Sequence, residues 1–122
     1  MRNFRTWEIY KSGLTLVTQI YKITKDLPKE EAYGLTSQVR RAAVSIICNI
    51  AEGSAKTSSK DFKRFLEMSL GSAFEVETLL RIMQNLNYCS SNELSELLEK
   101  IEIQEKRINA LIQKIKKEDL KN

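Results

Sequence analysis

Residues 91–115 have the sequence SNELSELLEKIEIQEKRINALIQKI, in which apolar residues recur at every seventh position. The residues that make this repeat are Leu94, Ile101, Ile108 and Ile115. Such a repeat, with charged residues on the remaining sides, predicts one long helix that buries a single face. Ser90 and Glu93 have the spacing of a capping box, so we expect the helix to begin there.

Residues 32–51 carry only two charged side chains, those of Arg40 and Arg41, and are otherwise largely apolar. A helix that is apolar on most sides must be covered by more than one neighbouring element. We therefore predict a second helix, at about residues 30–53, that lies inside a multi-helix arrangement.

Two further helices are predicted, at about residues 5–25 and 60–87, by the three- and four-residue spacing of apolar side chains. Four helices with short connections pack most simply as an antiparallel up-down-up-down four-helix bundle, so the predicted fold is all-α. An extended two-helix coiled coil is the alternative. The chain of 122 residues is long enough for one core, and we expect a single domain over residues 1–122.

The composition argues against catalysis and against a membrane span. The sequence has no histidine, which excludes histidine-based triads and histidine metal sites. Glu75 and Glu77 point to different sides of a helix and do not make a catalytic carboxylate pair. Cys48 and Cys89 lack paired metal spacing, and no apolar run approaches about 20 residues. We expect a cytoplasmic, non-enzymatic protein without a metal or other cofactor.

A stripe of polar side chains runs along one face of the apolar second helix. Antiparallel packing brings Arg41 of this stripe close to Glu75 of the third helix. In a structural interpretation, the stripe is a buried polar seam in which Arg41 and Glu75 form an ion pair. In a functional interpretation, Arg40 and Arg41 form a recognition surface that contacts phosphate. The candidate seam residues are Gln38, Arg41, Ser45, Asn49, Glu52 and Glu75.

The net charge of +4 is unevenly distributed in the predicted bundle. The start of helix one, the connector between helices two and three and the end of helix four meet at one end, where basic residues outnumber acidic ones. This basic end predicts binding of RNA or DNA backbone without strong sequence preference. A protein–protein interaction adaptor that binds no nucleic acid is the alternative. The candidate binding residues are Lys56, Lys60, Lys63, Arg64, Lys106, Arg107, Lys114, Lys116 and Lys117.

Uncharged stretches in the first three helices are longer than the core of one bundle requires. They cover residues 12–21, 42–50 and 68–74. Large exposed patches of this kind usually mark interfaces between subunits. We therefore expect a homo-oligomer that serves as a scaffold.

Several short motifs, spread over almost the whole chain, resemble a known family. They are Leu27-Pro28, Tyr33-Gly34-Leu35, Gln38-Val39-Arg40-Arg41-Ala42, Asn49-Ile50-Ala51-Glu52-Gly53 and Gly71-Ser72. With these motifs the chain resembles the four-helix-bundle proteins encoded within intervening sequences of bacterial 23S ribosomal RNA genes. It departs from the usual family pattern at Ile47-Cys48, where Pro-Ser is common.

This resemblance implies a homopentameric ring of four-helix bundles without known enzymatic activity. A related group, the accessory proteins of diversity-generating retroelements, is similar in fold. That similarity implies nucleic acid and reverse transcriptase as partners.

Overall fold

Four long helices make up most of the molecule in a computed structural model that describes residues 2–121, without the Lys121 side chain. Their bounds are α1 Glu8–Thr24, α2 Ser37–Ser54, α3 Ser59–Asn85 and α4 Ser91–Lys121. No strand occurs within the described residues. The predicted all-α class is confirmed, and the two-helix coiled coil is not the fold.

The helix ends follow local sequence signals. Trp7 is extended, with ψ 138°, so α1 begins only after a single short helical turn at Phe4–Thr6. The Ser58 side chain accepts a hydrogen bond from the Asp61 backbone N–H at 3.1 Å and thereby caps α3. At the other end of α3, Asn87 adopts a left-handed conformation with φ 57°.

The second helix is shorter than the sequence predicts, because the segment before it is irregular. Two short turns, Lys29–Glu31 and Ala32–Thr36, follow Pro28. Gly34, inside the second of these turns, has non-helical backbone angles, φ −108° and ψ −107°, so regular α-helix begins only after this turn. The predicted start at about residue 30 is therefore wrong, and α2 begins at Ser37.

Each helix packs against two neighbours: α1 and α3 both contact α2 and α4. Between α2 and α3, Ser45 is bonded to Ser72, while the later residue Gly53 lies against the earlier residue Phe65. As α2 proceeds from Ser45 to Gly53, its partners on α3 go back from Ser72 to Phe65, so these two helices run in opposite directions. The largest fully buried side chains at the centre are Ile20, Ile46, Ile50, Leu66, Leu80, Met83, Leu94, Ile101 and Ile108.

The apolar repeat on α4 lies on the buried face, where the sequence places it. Ile101 and Ile108 are fully buried, and Leu94 and Ile115 are nearly so. Between residues 2 and 121, none of the helices combines the length and apolar character that crossing a bilayer requires.

Candidate nucleic-acid interface

The segment before α1 is fastened to the connector between α2 and α3 by one arginine. Arg2 donates a hydrogen bond from Nη1 to the Lys56 carbonyl oxygen at 2.6 Å. Its guanidinium also lies 4.3 Å from the centre of the Phe62 ring. The Trp7 ring packs on the same phenylalanine at 5.7 Å. The first residues of the chain, the connector and the start of α3 therefore meet at one end of the bundle.

A second phenylalanine orients two candidate binding residues. The Lys56 ammonium lies 4.9 Å from the centre of the Phe65 ring, and the Arg64 guanidinium lies 5.7 Å from it. A cation held over an aromatic face gains about 0.5–1 kcal/mol at an exposed site. These contacts limit the side-chain freedom of both cations, because the Phe65 ring holds both charges close to it.

The second half of α4 reaches the same end. Arg107 forms a 3.7 Å ion pair with Glu8 at the start of α1, and Trp7, Arg107 and Leu111 line one shallow surface depression. Glu8 therefore neutralises part of the Arg107 charge. These contacts place Lys56, Arg64 and Arg107 at this end. All of the candidate binding residues except Lys56 and Lys63, which are half-buried, are exposed. The exposed ones are Lys60, Arg64, Lys106, Arg107, Lys114, Lys116 and Lys117.

The predicted buried seam on α2 is wrong in its central contact. Arg41 is exposed, and among residues 2–121 it makes no ion pair with Glu75. Glu75 is instead approached by the Gln38 amide, with Nε2 at 3.5 Å from Oε2. A long, charged side chain on the outer face avoids the cost of desolvation by staying in water. Glu52 is exposed as well.

Only the middle of the stripe forms a connected polar contact. Ser45 and Ser72 share a hydrogen bond of 2.9 Å between α2 and α3. The Asn49 amide donates to the Ser45 carbonyl oxygen at 2.9 Å and to its hydroxyl at 3.0 Å. Ser45, Asn49 and Ser72 are half-buried. The stripe is therefore a partly solvated helix–helix contact and not a buried charge network.

The two adjacent arginines have different surroundings. Arg40 donates from Nε to the Thr24 hydroxyl at 2.8 Å and lies 4.5 Å over the Tyr21 ring, so it joins α2 to the end of α1. Both arginines line an open groove of about 750 Å³ on the outer face of α2, but Arg41 is exposed, whereas Arg40 is half-buried. The hypothesis that both arginines contact phosphate is therefore weakened for Arg40, whose donors are engaged within the bundle.

The structure also places two polar α4 side chains in the core that sequence reasoning missed. Gln104 is 1% exposed; its Oε1 accepts from the Ser12 hydroxyl and its Nε2 donates to the Ile9 carbonyl oxygen, both at 2.6 Å. Glu105 is 8% exposed. The burial of Gln104 could have been predicted from its spacing, because it lies three residues after Ile101 and four before Ile108 on the same helix face.

Glu105 belongs to a charged cluster between α3 and α4. Arg81 bonds through Nε to Glu77 and through Nη2 to Glu102, each at 2.9 Å. Burial, followed by the hydrogen bond to Glu77, raises the pKa of Glu105 to about 8. Hydrogen bonds from Glu105 and Arg81 lower the pKa of Glu77. The two carboxyl groups that influence each other are thus Glu77 of α3 and Glu105 of α4, and not Glu75 and Glu77. Within residues 2–121, no cluster of three or more acidic or cysteine side chains is arranged to hold a metal ion.

These features define a small four-helix-bundle protein in which Arg2, Lys56, Arg64 and Arg107 meet at one end. The chain belongs to the 23S rRNA-intervening sequence protein family, whose model matches residues 5–110. The family resemblance of the sequence motifs is therefore confirmed. The relation to retroelement accessory proteins stays a prediction.

The fold is similar to that of a protein with unknown function from the S23 ribosomal protein family of Bacteroides thetaiotaomicron, known from a crystal structure. The two superpose with a TM-score of 0.77 over 85% of this chain and 97% of the other, at 21% sequence identity. This similarity concerns the fold alone. Among curated proteins, no match was found.

Proposed function

We propose that this protein is a non-enzymatic, self-associating scaffold that binds the backbone of RNA or DNA through its basic end. The observation that carries this proposal is the group of cations around Phe62 and Phe65, at the end of the bundle where Arg107 of α4 also pairs with Glu8. Further along α4, Lys114, Lys116 and Lys117 are exposed. Positively charged side chains on an ordered surface neutralise phosphates and release counterions, which drives binding.

The same contacts favour backbone recognition over base recognition. Stacking on a base requires a free aromatic face, whereas Arg2 covers Phe62 and both Lys56 and Arg64 lie over Phe65. Contacts to phosphate carry no sequence information by themselves. Binding should therefore tolerate many sequences and weaken with salt.

Replacing Lys114, Lys116 and Lys117 by glutamate should weaken the binding of all RNA and DNA sequences by at least about tenfold at low salt. Each lost phosphate contact should reduce the slope of log affinity against log salt by about 0.9 on duplex DNA. The measurement is fluorescence anisotropy of labelled RNA and DNA at several salt concentrations, with helicity checked by circular dichroism.

The matched control replaces Lys22, Lys25 and Lys29 by glutamate. These three lysines are exposed and lie away from the basic end, and their replacement changes the net charge by the same amount. This control should retain most of the affinity. Equal losses in both triple variants would mean that only net charge matters. Those equal losses, or no binding by the wild type at low salt, would refute the proposed site and favour the protein–protein interaction adaptor.

Self-association is supported by apolar side chains left on the outer surface of α3. Met68 is 45% exposed, Phe74 is 51% exposed, and Gly71 between them has nothing near the position of an added Cβ. Exposed apolar patches in a small protein usually become covered by a partner. The family resemblance favours other copies of this chain as the partner, in a ring of five subunits.

Light scattering should therefore give a mass that is a multiple of the 14.1 kDa chain. Changing Met68 and Phe74 to glutamine should lower that mass without loss of helicity, because polar side chains remove the gain from burying this patch. Ile103→Gln, on α4 at a similarly exposed position outside the three uncharged stretches, is the control and should leave the mass unchanged. A monodisperse wild-type monomer at micromolar concentration would contradict self-association.

A further inference from the structure

Arg81 joins Glu77 on α3 to Glu102 on α4, and Glu105 follows Glu102 by one helical turn, which brings its carboxyl group next to that of Glu77. Glu105 is 8% exposed, and its Oε2 atom is buried without a donor among the described residues. Two ionised carboxylates offer four acceptor oxygens and no proton, so they cannot bond to each other. The contact is favourable only when one of the two groups is protonated.

The neighbouring charges indicate which group holds the proton. From α3, Glu105 faces Glu77 and Arg81, and from its own helix it faces Glu102. Arg81 is committed to Glu77 and Glu102 through two 2.9 Å contacts, and among residues 2–121 it makes no ion pair with Glu105. Three carboxylates around one guanidinium would leave excess negative charge beside a buried oxygen, which is costly. The proton therefore belongs on Glu105.

We propose that Glu105 and Glu77 share one proton across the α3–α4 contact, and that this proton acts as a latch that holds α4 on α3. In the latched state, the protonated Glu105 oxygen donates to the Glu77 carboxylate, which Arg81 binds from its other side. Release of the proton to water leaves two carboxylates facing each other, and α4 loosens to admit solvent. The latch requires no nucleic acid.

The raised pKa of Glu105 supports the geometry and sets the pH range. A carboxyl in the unfolded chain has a pKa of about 4.3, whereas burial raises that of Glu105 to about 8 in the fold. Between these values the folded chain holds one more proton than the unfolded chain. Its stability is full below the lower value and is lost as pH rises through the higher one. Glu77, whose pKa is lowered, stays ionised throughout this range.

The folding equilibrium constant of the wild type should consequently fall by up to about tenfold per pH unit between about pH 5.5 and 7.5. Glu105→Gln should make this constant nearly independent of pH, because the amide can still donate to Glu77 but cannot ionise. Glu99→Gln, an exposed carboxylate on α4, is the matched control and should keep the wild-type slope. The chain has no histidine, so few other groups titrate in this range.

The measurement is urea unfolding across this pH range at one fixed protein concentration, followed by hydrogen exchange corrected for the intrinsic effect of pH. Amide protection near Glu105 should fall at the higher pH in the wild type and persist in Glu105→Gln. A pH-independent wild type, equal slopes in the wild type and Glu105→Gln, or exchange increases confined to helices other than α3 and α4 would overturn the latch.

Discussion

Replacing Gly13 by alanine is expected to destabilise the fold by about 2 kcal/mol, although alanine is the better helix former. A Cβ at Gly13 would overlap the Cγ2 atom of Ile47 where α1 crosses α2. Overpacking of this kind costs about 1–3 kcal/mol, and here the upper part of that range applies because Ile47 is β-branched and stiff. The intrinsic gain of about 1 kcal/mol for alanine over glycine in a helix offsets part of the loss.

Gly71→Ala is the matched control, because it makes the same chemical change at an open position of α3. Nothing in the same subunit lies within 4 Å of an added Cβ there, so the substitution should stabilise the subunit by about 0.5–1 kcal/mol. Gly71 lies between Met68 and Phe74 in the proposed self-association patch, so this control applies where the variant keeps the wild-type assembly. Urea unfolding at equal protein concentration measures both variants, with light scattering to establish that their assembly is unchanged. Equal effects of the two substitutions would show that α1 and α2 do not approach closely at Gly13.

The second large effect is expected at Gln104, whose amide is buried between α1 and α4. Gln104→Ala removes hydrogen bonds to Ser12 and Ile9 and leaves a cavity, so it should destabilise the protein by about 3 kcal/mol. Thermal or urea unfolding, at matched concentration and with helicity checked before the transition, provides the measurement.

Gln104→Leu distinguishes the two causes of that loss, because leucine fills the space without a polar group. We expect it to cost less than about 1.5 kcal/mol. In this variant the single Ser12 hydroxyl proton can be donated to the Glu8 carbonyl oxygen, 2.7 Å away, so the hydroxyl is not left without a partner. If Gln104→Leu is as damaging as Gln104→Ala, the hydrogen bonds matter more than the packing.

The comparisons show the family to which this chain belongs and a solved structure with a similar fold. The descriptions of that family and of that structure name no activity. The binding and assembly experiments therefore test function directly. Arg40 and Arg41 illustrate why the residues to be mutated in such tests must be chosen from the structure. Arg40 fastens α1 to α2, so its loss would change stability and binding together, whereas Arg41 projects from the surface.

The sequence by itself determined the number and class of the helices and most of their ends. The apolar repeat from Leu94 to Ile115 placed the buried face of α4, and the capping box at Ser90 and Glu93 placed the start of that helix. Such signals depend on contacts within one or two helical turns, so they can be interpreted without knowledge of the rest of the molecule. The irregular turns around Gly34 were missed, because a break in backbone angles has no period.

Only the tertiary structure decided which side chains meet between helices. Successive residues on a helix are separated by about 100° around its axis, so a small change in rotation or register exchanges one partner for another. For this reason Glu75 is approached by Gln38 in place of Arg41, and Glu77 meets Glu105 on a different helix. Periodicity identifies the face that is buried, but the rotation and register of the packed helices determine the chemistry of their contacts.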